Sequence, residues 1–461
     1  MGTMKVRKIF GVSLSLILIN MAAVMERADE NLLPSVYKEV SQAFNVGPAD
    51  LGYLTFVRNF VRGLASPLAG ILVIHYDRPT ILAVGTLFWA VSTAAVGASQ
   101  QFMQVAFWRA INGFGLAIVI PALQSFIADS YREGVRGTGF GMLSFIGSLG
   151  GIGGGVVATV MAGHEFWGVP GWRVAFIMMA CLSMLIGLLV FLFVVDPRKY
   201  PSLEASERNA LIGKNTGSSA ASIWKESVTA MKTVLKVPTF RVIVLQGLMG
   251  SLPWTAMVFF TMCCPVKSVC FWSASGALVG GMIADKITRK YPHSGRTMCA
   301  QFSASMGIPF SWFLLTVIPQ SVNSWFAYAT TLFLMGLIIS WNGAAANAPM
   351  FAQVVPAKHR TMIYSFDRAF EGSFSSFAAP LVGILSEKIY GYDPKSVNPD
   401  AGSVQEAYAL SRGLLTMMAV PFGLCCLFYT PLYWVFKHDR EKARLASLRE
   451  EVALSSAIDK E

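Results

Sequence analysis

Glu26, Arg27, Asp29 and Glu30 interrupt an apolar run that opens at Ile9 and resumes at Leu32 and Leu33. Further along, Arg58 and Arg62, Arg109, and the cluster Asp367, Arg368 and Glu371 stand inside equally apolar stretches. An ionised side chain at mid-bilayer costs about 2.5–3.5 kcal/mol on insertion scales, so such groups persist only by pairing or by facing water. Glu26 and Glu30, Arg58 and Arg62, and Asp367 and Glu371 are each four residues apart, which puts both members of a pair on one helix face. Carboxylates stacked in this way repel unless a cation or a proton lies between them. They are therefore candidate proton carriers, Glu26 and Glu371 first, with Asp29, Glu30 and Asp367 beside them. The guanidinium groups of Arg58, Arg62, Arg109 and Arg368 are candidate ligands for an anionic group, since guanidinium meets carboxylate or phosphate through two parallel hydrogen bonds. The competing interpretation is a fixed network in which the arginines only neutralise the acids; five acids and five bases balance without a ligand. Asn342 and Asn347 join the substrate candidates because a buried amide requires partners.

Composition sets the elements that must hold these groups. Hydrophobic residues make up 54% of the 461 and charged residues only 14%, against about a quarter charged in soluble proteins. Stretches of the roughly 17–25 apolar residues that cross a bilayer recur at 9–33, 51–74, 79–98, 103–127, 139–162, 173–195, 240–263, 269–284, 298–318, 324–350, 361–386 and 408–436, twelve in all. The expected fold is all-α and polytopic, with a short eighth helix, because 269–284 is only sixteen residues.

A net charge of +11 could mark a nucleic-acid surface, but its distribution excludes that reading. Lys and Arg gather in alternate loops, around Lys5–Lys8, Arg78, Arg132–Arg136, Arg198–Arg241, Lys286–Arg296, Lys358–Arg360 and beyond Lys437. This asymmetry is the positive-inside pattern and predicts both termini in the cytoplasm. The basic start and apolar run at the N-terminus resemble a signal peptide, yet eleven further spans favour an uncleaved first helix. Seven cysteines give no disulfide framework; Cys263, Cys264 and Cys270 only surround one outer loop. Five histidines fall in loops or at helix ends, none spaced with a second ligand, so neither a metal nor a cofactor is expected. The same absence of an intramembrane histidine argues against a membrane-embedded acyl transferase.

The longest polar segment, Asp196 to Phe240, divides the spans six and six. The expected organisation is an N-terminal bundle over 1–195, a cytoplasmic linker over 196–239, a C-terminal bundle over 240–436 and a cytoplasmic tail over 437–461. A weak repeat supports it. "GILVIHYDRP" from Gly70 and "GMIADKITRK" from Gly281 each carry Arg eight residues later, at Arg78 and Arg289. "ADSYREGVR" ending at Arg136 and "AQVVPAKHR" ending at Arg360 follow the fourth and tenth spans.

These residues carry a family resemblance. "GMIADKITRK" resembles the GxxxDxxxRK loop signature of the major facilitator superfamily, and Arg109, Gly113 and Gly115 resemble its fourth-helix R-xxx-G-x-G pattern. "MER" at Met25–Arg27 is similar to the "MDR" of the spinster branch, and the wording as a whole resembles plant members of that branch. The resemblance covers about residues 9 to 437. It implies twelve helices in two six-helix bundles that rock about a central cavity, with helices 1, 2, 4 and 11 lining it. It also implies a gating role for the loop residues Gly281, Asp285, Arg289, Gly70 and Arg78. In the first half Ile74 stands where the loop carboxylate would be, and Leu116 where spinster-type proteins carry a Glu after the fourth-helix glycines.

The expected function is that of a secondary active transporter, proton-coupled and working by alternating access, for a small anionic or amphipathic organic solute such as a lysolipid. The alternatives are a uniport facilitator for a sugar or organic acid, and a non-transporting signalling or scaffold relative. Expected partners are the lipid bilayer, the solute and protons, with the protein a monomer in a plasma or endomembrane.

Overall fold

The computed structural model describes residues 8–9, 12–46, 48–197, 228–229, 231–263, 269–319, 324–377, 381, 385–389 and 402–458. Most of the expected linker over 196–239 falls outside them, as do Cys264 and the outer loop beside it; the linker's described part is helical over 231–236. The chain is helical almost throughout. α1 spans Leu14–Ser35, α2 Tyr37–Phe44, α3 Pro48–Ala65, α4 Pro67–His75, α5 Arg78–Ala98, α6 Phe102–Ser130, α7 Arg136–Ala162 and α8 Gly171–Phe193. A second set follows: α9 Pro238–Cys263, α10 Val269–Lys290, α11 Gly295–Trp312, α12 Trp325–Ile339, α13 Ala348–Val354, α14 Arg360–Ser375, α15 Gly402–Phe428 and α16 Leu432–Ile458.

α1 runs unbroken through its charged stretch, buries Leu18, Ile19, Ala22 and Leu33 on one side, and ends one residue after Pro34. α3 and α4 form one span interrupted at Ser66–Pro67, where proline withholds an N–H from the ladder. The tenth span is also compound. Between α12 and α13 the residues Asn342–Asn347 wind as a π-helix, an arrangement common at functional sites because it frees backbone carbonyls. Among the described residues eight helices are long and apolar enough to cross a membrane by length and composition. α1 and α14 fall short of that test because they carry the charges that opened the sequence analysis.

Glycines set how closely these helices approach, since without Cβ two backbones can meet. α7 lies along α1. A Cβ added at Gly150 would come within 2.6 Å of the Val24 side chain, and one at Gly154 within 2.6 Å of Ala28. Gly151 faces Asn31 and Gly155 faces Ser35 in the same seam. Gly113 and Gly115 serve two neighbours at once: a Cβ on the first would strike the Arg58 carbonyl of α3, and one on the second the Trp89 amide of α5 at 2.7 Å. Gly153 faces open space, with nothing within 4 Å. Adjacent positions therefore differ sharply. Gly154→Leu is expected to cost about 1–3 kcal/mol by overpacking. Gly153→Leu should be neutral or stabilising by up to about 1 kcal/mol through helix propensity. Thermal unfolding of the detergent-purified variants reads both.

Two further glycine seams join the first set of helices to the second. Gly141 of α7 lies against α10, where an added Cβ would be 2.7 Å from the Leu278 Cα. Gly63 and Gly70 lie against α14, 2.8 Å from the Ser373 amide and 2.6 Å from the Met362 sulfur by the same measure. Outside the helices, β1 Glu165–Phe166 and β2 Val169–Pro170 form a two-residue ribbon whose turn, Trp167–Gly168, has both φ values positive, at 51° and 77°.

Candidate functional site

The ten intramembrane charges separate into three groups, and the first is a closed knot in the core of the first half. Asp29 is fully buried and Arg58 is 2% exposed. Arg58 Nη2 donates to Asp29 Oδ2 at 3.0 Å, and Arg58 Nε donates to Asn112 Oδ1 at 2.7 Å. Thr93 Oγ1 donates to the second Asp29 oxygen at 2.8 Å. Asn112 Nδ2 reaches both Asp29 Oδ2 at 3.2 Å and Thr93 Oγ1 at 3.0 Å. α1, α3, α5 and α6 thus meet on one satisfied carboxylate–guanidinium pair. Arg109 is buried in the same half, with its Nε unpartnered among the described residues. Proposed from sequence as substrate ligands, Arg58 and Arg109 do not reach the cavity described next, and Asp29 does not either. Asp29 is turned about 100° around α1 from Glu30, toward Thr93 of α5 and Asn112 of α6.

The second and third groups share a cavity of about 290 Å³ between the two sets of helices. Glu26, Arg27 and Glu30 of α1 and Arg62 of α3 line one wall; Asp367, Arg368 and Glu371 of α14 line the other. The first wall is internally paired. Glu30 accepts from Arg27 Nη1 at 2.7 Å and from Arg62 Nη1 at 3.4 Å, while Glu26 lies 3.5 Å from Arg27 Nε. The second wall is not paired. Asp367, only 6% exposed, has its Oδ1 buried without a partner, Arg368 Nε is in the same position, and Glu371 enters no ion pair among the described residues. Asn347 lines the cavity and accepts from the Tyr429 hydroxyl at 2.8 Å. Asn342, at the other end of the π-turn, does not line it, and its Oδ1 is buried without a partner. Gln124 and Ser340 also line the cavity with unpartnered oxygens. Sequence reasoning missed both, because an uncharged polar residue in an apolar run is common and carries no spacing signal.

An aromatic floor closes this cavity toward the end where the arginines gather, here termed the basic end. Phe140 of α7 and Phe351 of α13 each lie 6.0 Å from the Tyr364 ring of α14. The Tyr364 hydroxyl is fixed by donation to the Ala348 carbonyl at 2.7 Å. Beneath the floor two polar latches cross from one set of helices to the other.

In the first latch, Asp129 at the end of α6 pairs with Arg78 of its own half at 2.7 Å and with Arg360 of the other. Arg78 also pairs with Asp196, and Thr361 Oγ1 donates to Ser125 Oγ at 2.8 Å. In the second, Asp285 at the end of α10 accepts from the amides of Gly137 at 3.1 Å and Thr138 at 2.7 Å, at the start of α7. A carboxylate at a helix N-terminus satisfies unpaired amides and the positive end of the helix dipole. Its other partner is Arg296 Nη2 at 2.8 Å, whose Nη1 donates to the Ala345 carbonyl in the π-turn at 2.7 Å. Of the loop residues proposed from sequence, Gly281 packs against the Gly137 carbonyl, Gly70 against Met362, and Arg78 and Asp285 sit in the latches. Arg289 lies exposed on α10, and Arg296 occupies the pairing position instead.

The repeat explains why the latches differ. Arg136 Nε donates to the Ala128 carbonyl at 2.9 Å and Arg360 Nε to the Ala352 carbonyl at 3.2 Å, each eight residues back. With these as register marks, Asp129 corresponds to Gln353, while the Gly70 and Gly281 repeat aligns Ile74 with Asp285. Each half therefore supplies one latch carboxylate, but from a different helix. The first half uses the end of the fourth span, and the second uses the end of the eighth.

Residues 19–380 match the model of the Major Facilitator Superfamily. Protein spinster of Drosophila melanogaster is 23% identical over 409 residues, 83% of this chain and 63% of that protein. The cis,cis-muconate transport protein of Acinetobacter baylyi is 26% identical over 179 residues, 38% of this chain and 41% of that protein. The matches thus span less than two thirds of these relatives' lengths. A crystal structure of a bacterial homolog to the human lysosomal transporter Spinster, inward-facing and unoccupied, superposes with a TM-score of 0.62 at 16% identity, covering 92% of this chain and 98% of that one. FucP in its outward conformation superposes with a TM-score of 0.64 at 13% identity, covering 91% and 98%.

Proposed function

This chain belongs to the major facilitator superfamily, and we propose that it is a proton-coupled secondary transporter that moves a small amphipathic organic solute by alternating access. The observation that carries the reading is the shared cavity. Carboxylates from both halves face one enclosed space, and latches between the halves seal one end of it. Ionised groups at membrane depth are retained where they line a solute or proton path. With the basic end placed in the cytoplasm by the positive-inside pattern, the latched form is closed to the cytoplasm. Opening requires Asp129 to release Arg360 and Asp285 to release the start of α7.

The geometry favours an amphipathic solute over a simply anionic one. Arg58 is spent inside the knot, and Arg27 and Arg62 are already matched by Glu30. The lining holds four carboxylates against three guanidinium groups, a surplus of one negative charge when all are ionised. We assign the transported proton to Glu371, which has no cation paired to it among the described residues, with Glu26 facing it from α1. Arg296 joins cavity to latch, because it holds both Asp285 and the π-turn that forms part of the wall. A shift of that wall on loading is thereby felt at the seal.

Proteoliposomes loaded with a pH dye and given a panel of amphipathic solutes, a lysophospholipid among them, test this reading. Uptake is expected to move protons with the solute and to rise under an imposed pH gradient. Glu371→Gln should abolish the gradient's effect while equilibrative exchange persists. Uptake that ignores the gradient in the unmodified protein would remove proton coupling from the mechanism.

A further inference from the structure

The cavity lining holds an acceptor surplus that neither the ion pairs nor the latches use. Three oxygens on the lining are buried without a hydrogen-bond partner among the described residues: Gln124 Oε1 on α6, Ser340 Oγ next to the π-turn, and Asp367 Oδ1 on α14. The unpartnered donor on the same lining is Arg368 Nε. A buried polar atom left unpaired costs about 1–3 kcal/mol, and more if charged, so such a set persists where a ligand or water completes it. Asp367 is the extreme member, an ionisable carboxyl only 6% exposed.

Building on the reading of this cavity as the solute site, we propose that Asp367, Gln124 and Ser340 form a subsite for an ammonium group on the transported solute. An alkylammonium carries three N–H donors, no acceptor and one positive charge. It therefore meets three oxygen acceptors, one of them a carboxylate. A carboxylate or phosphate would meet the reverse: Arg27 and Arg62 already engaged by Glu30, and Arg368 flanked on its own helix by the two unpaired acids Asp367 and Glu371. The aromatic floor of Phe140, Phe351 and Tyr364 adjoins the subsite, since Tyr364 lies one helical turn before Asp367. It keeps the basic-end solvent away from the charge, and a lower local dielectric strengthens the ammonium–carboxylate attraction.

The test is equilibrium binding to the purified full-length protein in detergent at neutral pH, with n-hexylammonium, n-hexanol and n-hexanoate as probes of equal chain length. Hexylammonium is expected to bind at least tenfold more tightly than hexanol, and hexanoate more weakly than either. Asp367→Asn should erase the preference for the ammonium. If that variant fails to fold, Gln124→Leu and Ser340→Ala each should lower hexylammonium affinity several-fold without changing hexanol binding. Equal binding of the ammonium and the alcohol, tighter binding of hexanoate, or an ammonium preference that survives all three substitutions would overturn the subsite. Loss of the subsite with gradient-driven uptake intact leaves the transport reading standing. Ammonium binding in a protein that transports nothing would overturn transport and leave the subsite.

Discussion

Asp129→Asn is expected to shift the resting equilibrium away from the cytoplasm-closed form by about ten- to a hundred-fold. Asp129 is the one carboxylate in the first latch that reaches across the halves, holding Arg360 while also pairing with Arg78. Hydrogen bonds to charged groups contribute about 1.5–3 kcal/mol, and each 1.4 kcal/mol is a factor of ten. Only the Arg360 arm has to break on opening, because Arg78 moves with Asp129 and keeps Asp196. The substitution should therefore loosen the seal without unfolding the first half. Spin labels at Arg132 and Lys286, exposed on opposite halves near the basic end, should show the longer interlabel distance gaining population. Arg360→Gln should do the same, and the double variant should add little, as expected for partners in one interaction. A distance distribution unchanged in all three would mean that Asp129 does not hold the halves together.

Asp29→Ala should act on stability instead, with a loss of about 3–5 kcal/mol, the usual consequence of removing one partner from a buried ion pair. Both carboxylate oxygens are in use, Arg58 is buried with them, and Asn112 and Thr93 lose their acceptor as well. Thr93→Val removes a single neutral donor and should cost about 1 kcal/mol. Replacing Asp29 and Arg58 together by apolar residues of similar volume should recover much of the loss, because the uncompensated guanidinium is then gone. Thermal unfolding in detergent measures the series. If Asp29→Ala melts like the unmodified protein yet fails to transport, the knot belongs to the solute pathway and the division drawn between the two charge groups is wrong.

The sequence made the helices and the odd charges legible, because apolar runs of bilayer length broken by ionised residues suit helices packed around a polar interior and little else. Expected spans and observed helices agree at 79–98 against Arg78–Ala98 and 173–195 against Gly171–Phe193, whereas the helix expected to be short at 269–284 runs on to Lys290 and that expected at 361–386 ends at Ser375. The partition of the charges was less accessible. Glu26, Asp29 and Glu30 are neighbours in the chain, and the packing of α7, α8 and α6 about α1 decides which faces water and which faces core. Arg296 and Asp129 carried no motif that marked them. Asp129 lies within the repeated "ADSYREGVR" segment, yet its counterpart Gln353 cannot do the same work, so comparing the halves for identity hid it. Asking where the first half finds the carboxylate missing at Ile74 would have found it. Gln124 and Ser340 became visible only as unpartnered atoms on a cavity wall.

The most direct test of a shared, gated cavity uses one cysteine, Ser144→Cys on the cavity lining, in a protein whose seven native cysteines are replaced. It is treated with a membrane-impermeant thiol reagent from each side of sealed, oriented vesicles. Modification is expected from the outer side only in the latched protein, and from the cytoplasmic side once Asp129→Asn is added. Modification from neither side, or access that ignores the latch, would contradict a shared cavity gated between two halves.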